Sequence, residues 1–219
     1  MAFRLPREAR LVRFPSADGL ALEGRLTPGD PGRAVVLCHP HPQYGGSMLT
    51  PVILQAEQAF REAGYATLAF NFRGVGGSEG SFGGGHAEMA DVEGALAFLA
   101  ETLGGWPARQ AVAGYSFGSL VGGRAAAREP RVAFYLGIAP PLALETFNFL
   151  RAVAARIALI GGRRDEFGDP AGLEALAARL PRAPWLRLLD TDHFFTGATA
   201  ALAEACRDAI AWADGAPGA

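Results

Sequence analysis

Residues 110–128, QAVAGYSFGSLVGGRAAAR, are the stretch whose reading decides the fold. The first six form a short, mostly apolar run suited to a buried strand, and from Ser119 onward apolar residues recur at helical spacing. Between the two lies Gly114-Tyr115-Ser116-Phe117-Gly118, a G-x-S-x-G pattern. Such a pattern has a mechanical basis. A serine on a sharp strand-to-helix turn adopts strained backbone angles, and its hydroxyl projects from the sheet. The positions two before and two after it then face neighbouring chain too closely for a Cβ, which leaves glycine. With 29 glycines in the chain, an ordinary Gly-rich turn is the competing reading. The strand before and the helix after are what favour Ser116 as a nucleophile.

On both sides of this stretch, short apolar runs alternate with longer helical patterns, the signature of a mainly parallel sheet covered by helices. Strands are expected over residues 33–38, 66–72, 110–115, 132–138, 156–160 and 185–189, and helices over 52–63, 87–103, 119–128, 171–180 and 199–213. Residues 11–14 and 20–26 flank Ser-Ala-Asp-Gly and read as an antiparallel hairpin. The 219 residues suit one domain, with a frayed tail expected over 214–219.

Half the residues are hydrophobic and 19% are charged, which excludes a disordered or fibrous chain. A net charge of −2 supplies no electrostatic reason to expect nucleic acid or an anionic membrane as partner. Every basic residue is arginine, so a phosphate loop that needs its lysine is excluded. Two cysteines, Cys38 and Cys206, make no disulfide framework, and MAFRLPREARLVRF lacks the apolar core of a secretion signal. No apolar stretch is long enough to span a bilayer without charges, so a cytoplasmic, soluble protein is expected.

Open parallel sheets bind ligands beyond the carboxyl ends of their strands. There the sequence places residues 39–47, 73–85, Ser116, the Pro140 region, Asp165 and His193. A serine nucleophile needs a base, and the base needs a third group to orient it. His193 is the one histidine after Ser116. Asp165 follows the strand at 156–160 and lies between the two; Glu166, Asp169, Asp190 and Asp192 are the other acids in reach. Glu166 and Asp169 suit solvated loop or helix-cap positions, and Asp192 adjoins the base, from which its side chain would diverge. An oxyanion requires two N–H donors, one from Phe117 and one from the loop His39-Pro40-His41-Pro42. Proline has no N–H and His39 sits at the strand end, which leaves His41.

His-Pro-His also matches zinc-ligand spacing, but with four histidines in all, and His86 in a Gly-rich segment, a metal centre is not expected. Gly74-Val75-Gly76-Gly77-Ser78-Glu79-Gly80 superficially matches a dinucleotide loop, yet no suitably placed acidic residue follows a second strand. Neither a metal nor an organic cofactor is called for.

Taken together, HPHPQYGG, NFRGVGGSEG, GYSFG, GRRDEF and DHFF resemble the α/β-hydrolase superfamily, and within it a group of small bacterial hydrolases without a lid domain. The resemblance covers nearly the whole chain. It implies Ser116, Asp165 and His193 as a catalytic triad, the amides of His41 and Phe117 as oxyanion donors, and a structural role for Arg73 and Ser78. Asn71 departs from the aspartate of many relatives. Lids in this superfamily follow the strand that here is VAFYLGI, where residues 139–155 leave room for one short helix. An open site edged by Phe82, Phe147, Phe194 and Phe195 is therefore expected, suited to small-molecule esters of small to medium acyl size. Thioesterase, peptidase or amidase activity would use the same residues, and a non-catalytic binding module is the rival from another class.

Overall fold

The computed structural model describes residues 8–215. Eight strands form one sheet in the order β1-β2-β4-β3-β5-β6-β7-β8. They are β1 (Arg10–Pro15), β2 (Ala21–Thr27), β3 (Asp30–Cys38), β4 (Tyr65–Phe70), β5 (Arg109–Tyr115), β6 (Val132–Ile138), β7 (Arg156–Gly162) and β8 (Trp185–Leu189). β1 and β2 form the antiparallel hairpin and β2 pairs antiparallel with β4; all other pairings are parallel. The helices are α1 (Pro51–Glu62), α2 (Glu88–Thr102), α3 (Phe117–Arg128), α4 (Pro170–Ala178) and α5 (Thr199–Ala213). Together these make the α/β-hydrolase fold.

The unbroken apolar runs of the central strands follow from burial on both faces. In β3, Ala34, Val36 and Cys38 enter one apolar layer while Val35 and Leu37 enter the other, the period-2 alternation of a strand. The first layer packs against Val92 and Leu96 of α2 and Leu120 and Val121 of α3. The second packs against Ile53 and Phe60 of α1 and Ala209 and Ile210 of α5. The chain leaves β3 toward β4 on one side and returns to β5 on the other, so a crevice opens at the carboxyl ends of β3 and β5. The serine turn and the His-Pro-His loop both start there.

The structure refines the sequence expectations at particular places. The strand expected to run to residue 72 ends at Phe70; the Asn71 amide still bonds to the Glu23 carbonyl of β2, but the Phe72 amide leaves the sheet for the His39 ring. Between β6 and β7 stands one 3-10 helix, Asn148–Ala152, and no lid. Asp214, expected to open a frayed tail, is instead anchored by Arg33, Arg109 and the Tyr65 hydroxyl; residues 216–219 lie outside the described residues. Among the described residues no helix is long and apolar enough to cross a membrane.

Two ion pairs among the described residues are buried on both sides, Arg25–Glu57 and Arg73–Asp91. Arg25 of β2 meets Glu57 of α1 with both side chains 3% exposed, and Glu57 also accepts from Thr67. Glu57→Ala would leave the Arg25 guanidinium buried without a counter-charge, and should destabilise the protein by about 3–5 kcal/mol in urea unfolding. Replacing both members by apolar residues should cost markedly less.

Candidate active site

Ser116 sits at φ 53°, ψ −119°, between the last residue of β5 and the first of α3. A Cβ on Gly118 would overlap the Cys38 and His39 carbonyls, and one on Gly114 would overlap the Gly118 backbone. These close approaches are the physical reason for both glycines. The Ser116 amide donates to the Ile138 carbonyl (2.9 Å), which ties the turn to β6.

The structure brings together the three side chains that the sequence placed far apart. His193 Nε2 lies 2.9 Å from Ser116 Oγ. On its other edge, His193 Nδ1 is 2.9 Å from both carboxylate oxygens of Asp165. Asp165 Oδ1 also accepts from the amides of Phe167 (2.9 Å) and Gly168 (2.7 Å), so its carboxylate is fixed before it reaches the imidazole. The Tyr115 hydroxyl donates to the His193 carbonyl at 3.0 Å, holding the loop from beneath. With the Nδ1 proton directed to Asp165, Nε2 presents its lone pair to the serine hydroxyl. The arrangement can withdraw a proton from Ser116 and carry the resulting positive charge against a buried carboxylate.

None of the other acids reaches the imidazole. Asp190 pairs with Arg164 at the surface, and Asp192 accepts from the amides of Phe194 (3.1 Å) and Thr196 (2.9 Å). Those bonds hold the Asp192 carboxyl below its ordinary pKa. Asp169 precedes α4 but makes no capping bond with its side chain, and Glu166 is exposed.

Phe117 is the first residue of α3, so its N–H has no intrahelical acceptor and points from the positive end of the helix dipole. His41 caps the 3-10 helix Pro42–Tyr44, and its Nδ1 accepts from the Gln43 amide (3.2 Å). Its ring packs 5.0 Å from that of Phe117, 4.8 Å from Phe82 and 4.7 Å from Tyr44, setting this loop beside the serine turn. Burial lowers the His41 pKa, with nearby Glu88 opposing, which favours a neutral imidazole.

His39 is fully buried. Its Nδ1 lies 2.6 Å from the Pro40 carbonyl, and its Nε2 accepts from the Phe72 amide at 3.0 Å. Both nitrogens are thus spent within the protein, which removes His39 as a metal ligand and makes it a clamp between the loops after β3 and β4. Burial depresses its pKa to about 4. Asn71 bridges the same region, with Oδ1 accepting from the Met48 amide (2.9 Å) and Nδ2 donating to Glu23 (2.8 Å). An ionised aspartate here could accept from Met48 but could not donate, and would face the Glu23 carboxylate. Ser78 donates to the Asn71 carbonyl, and Arg73 is locked by Asp91 and Asp18.

Two of the expected rim residues are in the wrong place for that role. Phe147 and Phe195 are 2% and 3% exposed and belong to the two apolar layers, so neither faces a ligand. Phe195 has a left-handed backbone (φ 56°) and packs on Tyr115, whereas Phe194 stays exposed beside His193. Phe82 is half-buried against His41 and Phe117. Phe167 joins the site as well, with its ring 4.9 Å from that of His193. Its sequence signal is its position two residues after the acid, inside the turn that cradles Asp165.

No protein-family model matches the chain. An uncharacterized protein of Rickettsia prowazekii, RP471, is 30% identical over 210 residues, 90% of this chain and 87% of that protein. A protein of unknown function from Agrobacterium tumefaciens, a candidate α/β hydrolase, superposes with a TM-score of 0.87 at 30% identity, covering 94% of this chain and 97% of that one. XC6422 from Xanthomonas campestris, a member of the α/β serine hydrolases without a lid, superposes at 0.85 with 29% identity and 98% coverage of both chains.

Two outcomes follow from this geometry. Gly118→Ala should destabilise by at least the ~1–3 kcal/mol that overpacking costs, measured by urea unfolding, because backbone carbonyls rather than flexible side chains stand in the way. His39 should make stability fall as pH drops from about 6.5 to about 4, since over that range the unfolded chain binds a proton that the folded state excludes. Unfolding midpoints at pH 7 and pH 4.5 should therefore differ less in His39→Gln than in the unaltered protein.

Proposed function

Since the chain belongs to the α/β-hydrolase family, we propose that it is a serine hydrolase that cleaves carboxylic esters of small to medium acyl size through an acyl-enzyme. The observation that carries this reading is the continuous hydrogen-bond chain from Ser116 through His193 to Asp165. In the first half-reaction Ser116 Oγ attacks the ester carbonyl as its proton passes to His193 Nε2, and Asp165 stabilises the imidazolium that forms. The amides of Phe117 and His41 stabilise the developing oxyanion. His193 then returns the proton to the departing alkoxide oxygen, the alcohol leaves, and the acyl group stays on Ser116. Water, deprotonated by the same imidazole, hydrolyses this intermediate and restores the serine.

The absence of a lid between β6 and β7 supports small, soluble substrates over long-chain lipids. Two unpaired, buried cysteines, Cys38 and Cys206, are compatible with a reducing cytoplasm.

The test is hydrolysis of p-nitrophenyl esters of increasing acyl length, with a matched thioester and anilide alongside. Short and medium esters should be turned over fastest; a preference for long chains, thioester or anilide would overturn the substrate assignment. Ser116→Ala should abolish turnover, and Asp165→Asn should lower kcat by about 10⁴ by presenting the wrong tautomer of His193.

A further inference from the structure

We propose that Phe167 and Phe194 form a subsite for the leaving group, and that it selects esters of ring-bearing, apolar alcohols. This rests on the ester-hydrolase reading above and adds which half of the substrate goes where. When the ester C–O bond breaks, the proton on His193 Nε2 must move to the alkoxide oxygen, so that oxygen lies within hydrogen-bond reach of the imidazole. The leaving alcohol therefore extends over the His193 flank of Ser116. The oxyanion donors Phe117 and His41, with the Phe82 ring against them, mark the other flank.

On the His193 flank the chain presents two aromatic rings to solvent. Phe167 meets the imidazole edge-on at 4.9 Å and 63°, and Phe194 meets it at 5.5 Å and 89°. Their own centroids are 6.5 Å apart with planes at 78°, so they form two walls of a corner. Phe194 is 66% exposed and Phe167 37%. Tyr115 occupies the buried side of the same imidazole, 5.6 Å away, which leaves the solvent side to these rings. A third exposed apolar residue, Leu144, belongs to the same flank: the neighbouring Ala143 amide donates to the Phe167 carbonyl at 2.9 Å.

A corner of two near-perpendicular phenyl rings offers one face and one edge to a guest ring, the geometry aromatic groups prefer. A linear alcohol would cover one wall only. The two rings are also held from the backbone. The Phe167 amide is bonded to Asp165 and the Phe194 amide to Asp192, so the corner is set by the same turns that position the acid and the base.

The experiment varies the alcohol at constant acyl group: benzyl, hexyl and 2-methoxyethyl acetates, assayed by acid release. In the unaltered protein kcat/KM should be about tenfold higher for the benzyl ester than for the 2-methoxyethyl ester, the discrimination that about one aromatic contact provides. Phe167→Ala and Phe194→Ala should each bring that ratio toward one, and Phe194→Trp should restore it. Leu11→Ala, on the exposed face of β1, should leave the ratio as it was. A benzyl preference that survives both alanine variants, or that is absent from the outset, would overturn the subsite. So would variants that reshape the acyl-length profile at a fixed leaving group, which would assign the rings to the acyl side. If none of the acetates is hydrolysed, it is the ester reading that fails, and the subsite with it.

Discussion

A serine held at positive φ is strained by about 1–3 kcal/mol, and it persists only where surrounding structure over-determines it. At Ser116 the determinants are close contacts of backbone with backbone. Gly118 lies against the carbonyl end of β3, Gly114 lies against Gly118, and the serine amide is bonded to β6. The turn is thus wedged between the two strands that flank β5 at the centre of the sheet. Its position follows from sheet pairing, and so does the direction in which the hydroxyl points. The wedge also sets the start of α3, whose first residue, Phe117, has an amide without an acceptor inside the helix.

The remaining parts of the site are loops, and each is tied down by groups that leave the chemistry to others. His39 joins the loops after β3 and β4 through both ring nitrogens. Asp165 is cradled by two amides of its own turn, and Tyr115 reaches from beneath the serine to the backbone of His193. Hydrogen bonds of 2.9 Å along the chain from serine to carboxylate are the product of these restraints. For the proposed reaction such preorganisation would matter, because the geometry would not have to be assembled during each turnover.

Much of this was legible in the sequence, for definite reasons. Runs such as RAVVLC are apolar throughout because both faces of the sheet are covered, and the period switches to helical on either side. Ser116 was legible because a steric requirement wrote glycine on both sides of it. That His193 and Asp165 converge on Ser116 was legible from the one histidine downstream and from an acid placed after a strand. Loop side chains were harder. Phe194 and Phe195 are neighbours of the same type, yet a left-handed backbone at Phe195 turns one into the core and leaves the other beside the imidazole. Composition carries no trace of that turn. Phe147 likewise is apolar and loop-borne but buried, and the role of His39 depends on an amide 33 positions away that only the fold brings to it.

The central claim is that Ser116 is an activated nucleophile, and covalent trapping with a fluorophosphonate, read by intact mass and peptide mapping, tests it most directly. The account predicts one adduct per chain, located on the peptide that contains Ser116, and none in Ser116→Ala. An unaltered protein that does not label, or a Ser116→Ala variant that labels equally, would contradict it.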